Sequence, residues 1–305
     1  MGLLWGRWTR NSSEAAPVVE AEKLEFATAA KKVDNVEDKL ARYDALVSAF
    51  RRGCTDFNPN ICSHERNIIR GQSYTEAQYF YGGRSALKAC IEALFACNNE
   101  LPKRVLDFPC GHGRGARFLR AAFPDAALHV SDIDETGVRF CQEQFGAIGF
   151  PSQVDIEAIE FPSNIDLIWC GSLVTHLSED RTRTLLRKLR NALSDRGVLL
   201  FTTHGRAYLR YLSTTTQLMK PGEWENVLSG YYEKGYGYEV YSIDEFRDID
   251  YGFSIISPNW IYKNIIWKDD GVTLISYSEK GWHDHQDLYV VQKRDLSSWY
   301  NVDFL

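Results

Sequence analysis

Asp107 closes the apolar run RVLDF and is followed within eight residues by Gly111, Gly113 and Gly115, in the stretch LDFPCGHGRG. Later apolar runs also end on acid: Asp132 and Asp134 follow ALHV, and Asp155 follows a short third segment. A glycine-rich turn between strand and helix lets the backbone and a ligand approach closely, and the side chains at the strand ends decide which ligand that is. Gly111, Gly113 and Ala116 satisfy the relaxed dinucleotide pattern GxGxxG/A, and Asp132 would accept from the ribose hydroxyls of any nucleoside cofactor. Asp107 discriminates between cofactors. Beside a pyrophosphate it would face like charge; beside an ammonium and a sulfonium it would face the opposite one.

Histidines supply the candidate bases. His176 follows SLVT, His204 follows LLFTT, and His283 and His285 stand in GWHDHQD, each near the end of an apolar run. A neutral imidazole there could take a proton from an acceptor hydroxyl. His283, His285 and Asp287 alternate as ligands on one face of a strand would, but with no further partner in sight the expectation is no metal. Cys110 and Cys170 read as small apolar residues beside a ligand, because no base accompanies either.

These residues need a scaffold that brings strand ends together. Between Arg104 and Thr203, strand-like and helix-like segments alternate: RVLDF, GARFLRAAF, ALHVSDID, ETGVRFCQEQFG, a short PSQVDI, IDLIWCG, EDRTRTLLRKLRNAL and VLLFTT. Such alternation predicts a parallel sheet wrapped by helices, with ligands at the carboxyl ends of the strands. Residues 1–33 read as a poorly ordered leader. Residues 34–100 read as a helical extension, with one helix from about Asp34 and a second over Ser85 to Ala96. Residues 101–204 are the cofactor-binding core, 205–250 an aromatic-rich insertion, and 251–305 the last part of the sheet. There NWIYKNIIW, VTLISYS and QDLYVVQKR continue the strand and helix pattern, the last two as a hairpin joined by EKGWHDH.

Composition narrows the function. A net charge of -6 and a pI near 5.7 leave no basic footprint for a nucleic-acid partner. Seven cysteines without a CxxC pair fit a reducing cytoplasm. No apolar run reaches membrane-spanning length, so no stable membrane insertion is expected.

As a set, VLDFPCGHGRG, HVSDID, VDIEAI, IDLIWCGSLVTHL and LSDRGVLLFTTHGR resemble the class I S-adenosylmethionine-dependent methyltransferases, in the right order over about 100 residues. The resemblance implies a Rossmann-like open α/β sheet of about seven strands, mostly parallel with an antiparallel last strand, carrying N-terminal helices and a lid insertion. It implies S-adenosyl-L-methionine as cofactor. Asp107, Pro109 and Gly111 would line its methionine end, Gly113 would also bind the cofactor, and Asp132 would hold the ribose. Ile133 would pack on the adenine, Asp155 and Ile156 would flank its amino edge, and Cys170 would lie beside the methionine. One departure is Pro109, where the family usually has glycine; proline keeps the carbonyl but removes a donor. The implied reaction is direct transfer of a methyl group to a small-molecule or glycan-like acceptor, on oxygen, as in bacterial polysaccharide and secondary-metabolite pathways. A NAD-dependent oxidoreductase and a non-catalytic binding subunit are the alternatives. The sequence does not give the oligomeric state.

Overall fold

The structure is a computed structural model that describes residues 36–71, 75–210, 219–242, 249–266 and 271–294. Residues 41–305 form one compact unit and residues 1–40 another, of which only the start of helix α1 is described. The leader, residues 1–33, lies outside the described residues.

Seven strands form one sheet in the order β3-β2-β1-β4-β5-β9-β8. They are β1 (Arg104–Asp107), β2 (Ala127–Val130), β3 (Ile148–Gly149), β4 (Ile165–Cys170), β5 (Leu193–Thr203), β8 (Val272–Trp282) and β9 (Gln286–Lys293). All neighbouring pairs from β3 to β5 run parallel, while β9 is antiparallel to both β5 and β8. The expected open sheet with an antiparallel last strand is therefore present. Thr203 pairs with Asp287, so β9 begins where β5 ends and the β8–β9 turn emerges at the glycine-loop edge.

Helices cover both faces, which explains strands without polar alternation. On one face α1 (Val36–Thr55), α3 (Glu76–Ala96), α4 (Ala116–Ala122) and α5 (Glu135–Phe145) bury Leu46, Leu87, Phe118 and Phe145 against Val105, Leu128 and Leu200. On the other, α6 (Glu179–Ala192) packs Leu185 and Leu189 against Leu106, Ile168, Leu199 and Phe201. Beyond β5, α7 (Pro221–Lys234) lies on a separate two-stranded ribbon of β6 (Tyr236–Val240) and β7 (Gly252–Ile256). Val227, Tyr241, Phe253 and Ile255 form a small core there.

Two local expectations change, and a third segment takes the helical place in the strand and helix pattern. NWIYKNIIW is helical: Ser257 caps α8 (Pro258–Ile261) by accepting from Trp260 N at 3.2 Å, Pro258 presets the first turn, and the chain continues as a π turn over Tyr262–Ile266. Trp260, Ile261 and Ile266 share one buried face, a helical spacing that resembles a strand run in so short a segment. PSQVDI is loop, and the third strand is the two residues Ile148–Gly149 before it. The helix expected from Ser85 begins at Glu76, because Thr75 and Gln78 form a reciprocal capping box. Gly83 then sits mid-helix for close packing, since a Cβ there would come within 2.1 Å of Arg114 O. A short helix, α2 (Ser63–Gly71), precedes it without a sequence signal that had been read as one.

Arg117 joins this extension to the glycine loop. Although 1% exposed, it donates to Gly113 O at 2.9 Å, Asn58 O at 3.0 Å and Asn60 O at 2.7 Å. Arg117→Ala would remove the donor that these carbonyls share and is expected to lower unfolding free energy by about 2–3 kcal/mol. Urea denaturation checks this, and an unchanged midpoint would show that the carbonyls find other donors.

Candidate functional site

The ends of β1, β2 and β4 meet at the glycine loop. Asp107 is 2% exposed and accepts from Ala116 N, yet its Oδ2 has no hydrogen-bond partner among the described residues. Burial pushes its carboxyl up to about 8; the Ala116 hydrogen bond opposes this, the Asp132 charge adds to it and Arg114 reduces it. The loop can wrap this close because its glycines permit it. Gly111 and Gly113 have φ of +47° and +79°, and a Cβ on Gly115 would stand 2.9 Å from Asp107 Oδ2.

Two cavities, of about 290 and 250 Å³, open on either side of this point and share Pro109, Asp132 and Tyr251. The first is bounded by Ile133, Gln153, Ile156, Leu177 and Arg181, an apolar slot with few polar groups. Ile133 is 55% exposed and lies in the wall of this slot, where a flat apolar ligand would cover it. The second is bounded by Asp107, Gly111, His112, Arg114, Ser172, His176 and Trp282. Asp132 bridges the two. Its Oδ2 accepts from Gly111 N at 2.8 Å and its Oδ1 from Asp134 N at 3.0 Å, which leaves a lone-pair position on each oxygen. Asp132→Ala is expected to weaken nucleoside-cofactor binding by about 1–3 kcal/mol, read by calorimetric titration.

Other expected cofactor residues lie apart from the cavities. Cys170 is fully buried in the core face shared with Leu106 and Phe201, because the last residue of β4 points into the sheet packing; Gly171 and Ser172 line the second cavity instead. Gly113 packs against the Phe145 ring, where a Cβ would stand 2.3 Å away. Asp155 caps the turn Ile156–Ala158 by accepting from Glu157 N at 3.0 Å, so it positions Ile156.

The histidines separate by environment. His176 lines the second cavity, stacked on Tyr251 with centroids 4.6 Å apart. Its Nδ1 lies 2.9 Å from Gly252 O, which only accepts, so Nδ1 carries the proton and Nε2 is the basic nitrogen. Burial pushes it down to about 4, against the Gly252 hydrogen bond, so it stays neutral at ordinary pH. His204, 4% exposed, is sandwiched between Tyr208 at 3.8 Å and Phe253 at 4.7 Å and lines neither cavity. His283 bonds the Gln78 backbone, and His285 donates from Nδ1 to His283 O at 2.7 Å, so both stabilise the β8–β9 turn. Asp287 does not join them: its oxygens accept from Tyr277 Oη at 2.8 Å and Lys280 N at 3.0 Å.

Sequence reasoning missed Tyr251, Arg114, Trp169 and Trp282. Tyr251 lies one residue past the expected insertion, and the tryptophans offered no signal beyond being aromatic. Tyrosines of the aromatic-rich insertion line neither cavity: Tyr236 is buried and donates to Leu177 O at 2.8 Å, Tyr238 donates to Asp250, and Tyr232 is exposed.

A family model described as a methyltransferase domain matches residues 106–199, from within β1 into β5. Over these residues the chain carries a domain of a methyltransferase family. S-adenosylmethionine is the cofactor of this family. Two curated relatives of the methyltransferase are a malonyl-[acyl-carrier protein] O-methyltransferase of Bacillus anthracis and a fatty-acid O-methyltransferase of Mycolicibacterium smegmatis. The first is 26% identical over 166 residues, 54% of this chain and 58% of the relative; the second is 35% identical over 68 residues, 22% and 25% of the two. The matches therefore span 58% or less of these relatives' lengths. Similar solved structures include a methyltransferase from Clostridium acetobutylicum at a TM-score of 0.48 and 15% identity, covering 76% of this chain and 97% of that one. An amino pentose methyltransferase from Micromonospora echinaspora also gives 0.48, at 13% identity over 77% and 98%. No helix among the described residues of the methyltransferase is long and apolar enough to cross a membrane.

Proposed function

We propose that this methyltransferase transfers the methyl group of S-adenosylmethionine to an oxygen of a small-molecule or glycan-like acceptor, with Asp107 holding the cofactor ammonium. The unpartnered, buried Oδ2 of Asp107, which lines the second cavity, is the observation that carries this reading: a buried carboxylate oxygen needs a donor, and an ammonium supplies both donor and countercharge. Asp132 takes the ribose hydroxyls on its remaining lone pairs, and the adenine enters the apolar slot between Ile133 and Ile156. The methionine side occupies the second cavity, toward the glycine loop.

When bound, the cofactor supplies an activated methyl carbon whose sulfur departs as a neutral thioether. The protein supplies alignment and a dry path for displacement. The acceptor oxygen approaches past Tyr251 and Trp282, and its proton passes to His176 Nε2 as the oxygen–carbon bond forms. Oxygen is favoured because the two relatives are named as O-methyltransferases. Calorimetric titration with S-adenosylmethionine and with NAD tests the cofactor assignment. Binding of the former at micromolar affinity or better is expected, and binding of NAD alone would overturn the reading. Mass spectrometry of co-purifying small molecules would identify the acceptor class.

A further inference from the structure

Beside the cofactor cleft, three elements bring together residues that could hold a metal ion. His64 stands in the first turn of α2, His112 in the glycine loop, and Asp134 at the N-cap of α5. One ligand atom from each lies within 4.8 Å of the others. His112 Nε2 is 3.9 Å from Asp134 Oδ2, and the two imidazole rings have centroids 5.0 Å apart. Zinc binds imidazole nitrogen and carboxylate oxygen at about 2.0–2.2 Å, which puts ligand atoms on one ion about 3–4 Å apart. Closing to that spacing draws the trio in by about 1–2 Å; His64 is exposed, and His112 Nε2 would exchange its 3.2 Å contact with Thr136 Oγ1 for the ion.

The division of labour at Asp134 strengthens the case. Oδ1 is committed to the helix, accepting from Thr136 N at 2.9 Å and Thr136 Oγ1 at 2.6 Å. Oδ2 faces His112. A ligating carboxylate whose second oxygen is fixed by hydrogen bonds is the usual arrangement around a bound metal. Two imidazoles and a carboxylate suit zinc and its neighbours rather than magnesium or calcium.

We propose that His64, His112 and Asp134 form a zinc-class site that straps helix α2 to the glycine loop. Glu65, adjacent to His64, lines the same cavity as His112, so an ion here holds α2 over the methionine side of the cleft. The site plays no part in the methyl transfer itself. It couples metal occupancy to cofactor retention.

The test uses the full chain freed of metal by chelation. Titration with zinc chloride is expected to show one ion per chain, and cobalt chloride a visible spectrum without thiolate charge transfer. His64→Ala alters an exposed side chain, and Asp134→Asn keeps the Oδ1 acceptor, so both variants should fold; each is expected to weaken zinc binding at least tenfold. Zinc is expected to tighten S-adenosylhomocysteine binding in the wild type and not in His64→Ala. Zinc binding of equal strength in both variants, no binding at all, or a thiolate band from Cys54 or Cys62 would overturn the site. Zinc binding that leaves S-adenosylhomocysteine affinity unchanged would overturn the strap. Failure of S-adenosylhomocysteine to bind with or without zinc would count against the cofactor reading, whereas zinc stoichiometry judges the metal site separately.

Discussion

His176→Ala is expected to lower kcat by about 10²–10⁴-fold, the usual contribution of a positioned general base. Its Nδ1 is tied to Gly252 O at 2.9 Å, with the Tyr241 hydroxyl oxygen 3.0 Å away, so the ring is oriented with Nε2 as the proton acceptor. The Tyr251 ring stacked on it fixes the plane. Among the four histidines of interest it is the one that lines a cavity with Asp107 and the glycine loop. Because burial holds it down to about 4, it is already in the basic form throughout the neutral range. The kcat of the wild type should therefore show no acid limb near 6.5, where an ordinary histidine titrates; any limb should fall near 4. The same depression makes folding stability acid-sensitive. It is fully present above about 6.5 and is lost as pH falls toward 4. His204→Ala, by contrast, should lower the melting temperature through lost stacking on Tyr208 and Phe253. A kcat for His176→Ala within about threefold of wild type, once an acceptor is in hand, would remove His176 from the reaction.

Asp107→Asn is expected to weaken S-adenosylmethionine binding by about 10²–10⁴-fold, since removing one partner of a buried ion pair costs about 3–5 kcal/mol. Without cofactor the variant should be as stable as the wild type or more so, because the native carboxyl is buried with Oδ2 unpartnered. The sign with pH follows from the direction of the shift. A carboxyl held at about 8 when folded, against about 3.9 when unfolded, binds its proton more tightly in the native state, so wild-type stability falls as pH rises between those values. The asparagine variant should lack that slope. Pairing with an ammonium would bring the carboxyl back down, so cofactor binding at pH 7 should release a proton. Calorimetry in buffers of different ionisation enthalpy reads that release directly. Equal dissociation constants for wild type and Asp107→Asn would mean that the ammonium lies elsewhere.

The contrast between these two residues shows how far a linear reading reaches. Asp107 was legible because its place is set by immediate neighbours: an apolar run before it and glycines after it fix it at a strand end beside a turn. Asp132, Ile133 and Ile156 follow the same logic and do line the first cavity. His176 was one of four histidines near strand ends, and nothing local ranked it above His204. What separates them is Tyr251, Gly252 and Phe253, which arrive from β7 more than 70 residues downstream of His176 and differ in which ring they cover. His64, His112 and Asp134 were likewise invisible as a group, since they lie on a helix, a loop and a helix cap with no spacing that relates them.

Local patterning by itself determined the alternating core, the acidic strand ends and the glycine turn, because periodicity and backbone freedom act over a few residues. Tertiary structure alone decided which histidine faces the cleft and that Cys170 points into the sheet packing. Those outcomes depend on side chains from distant segments competing for the same burial, and no short stretch of sequence encodes that competition.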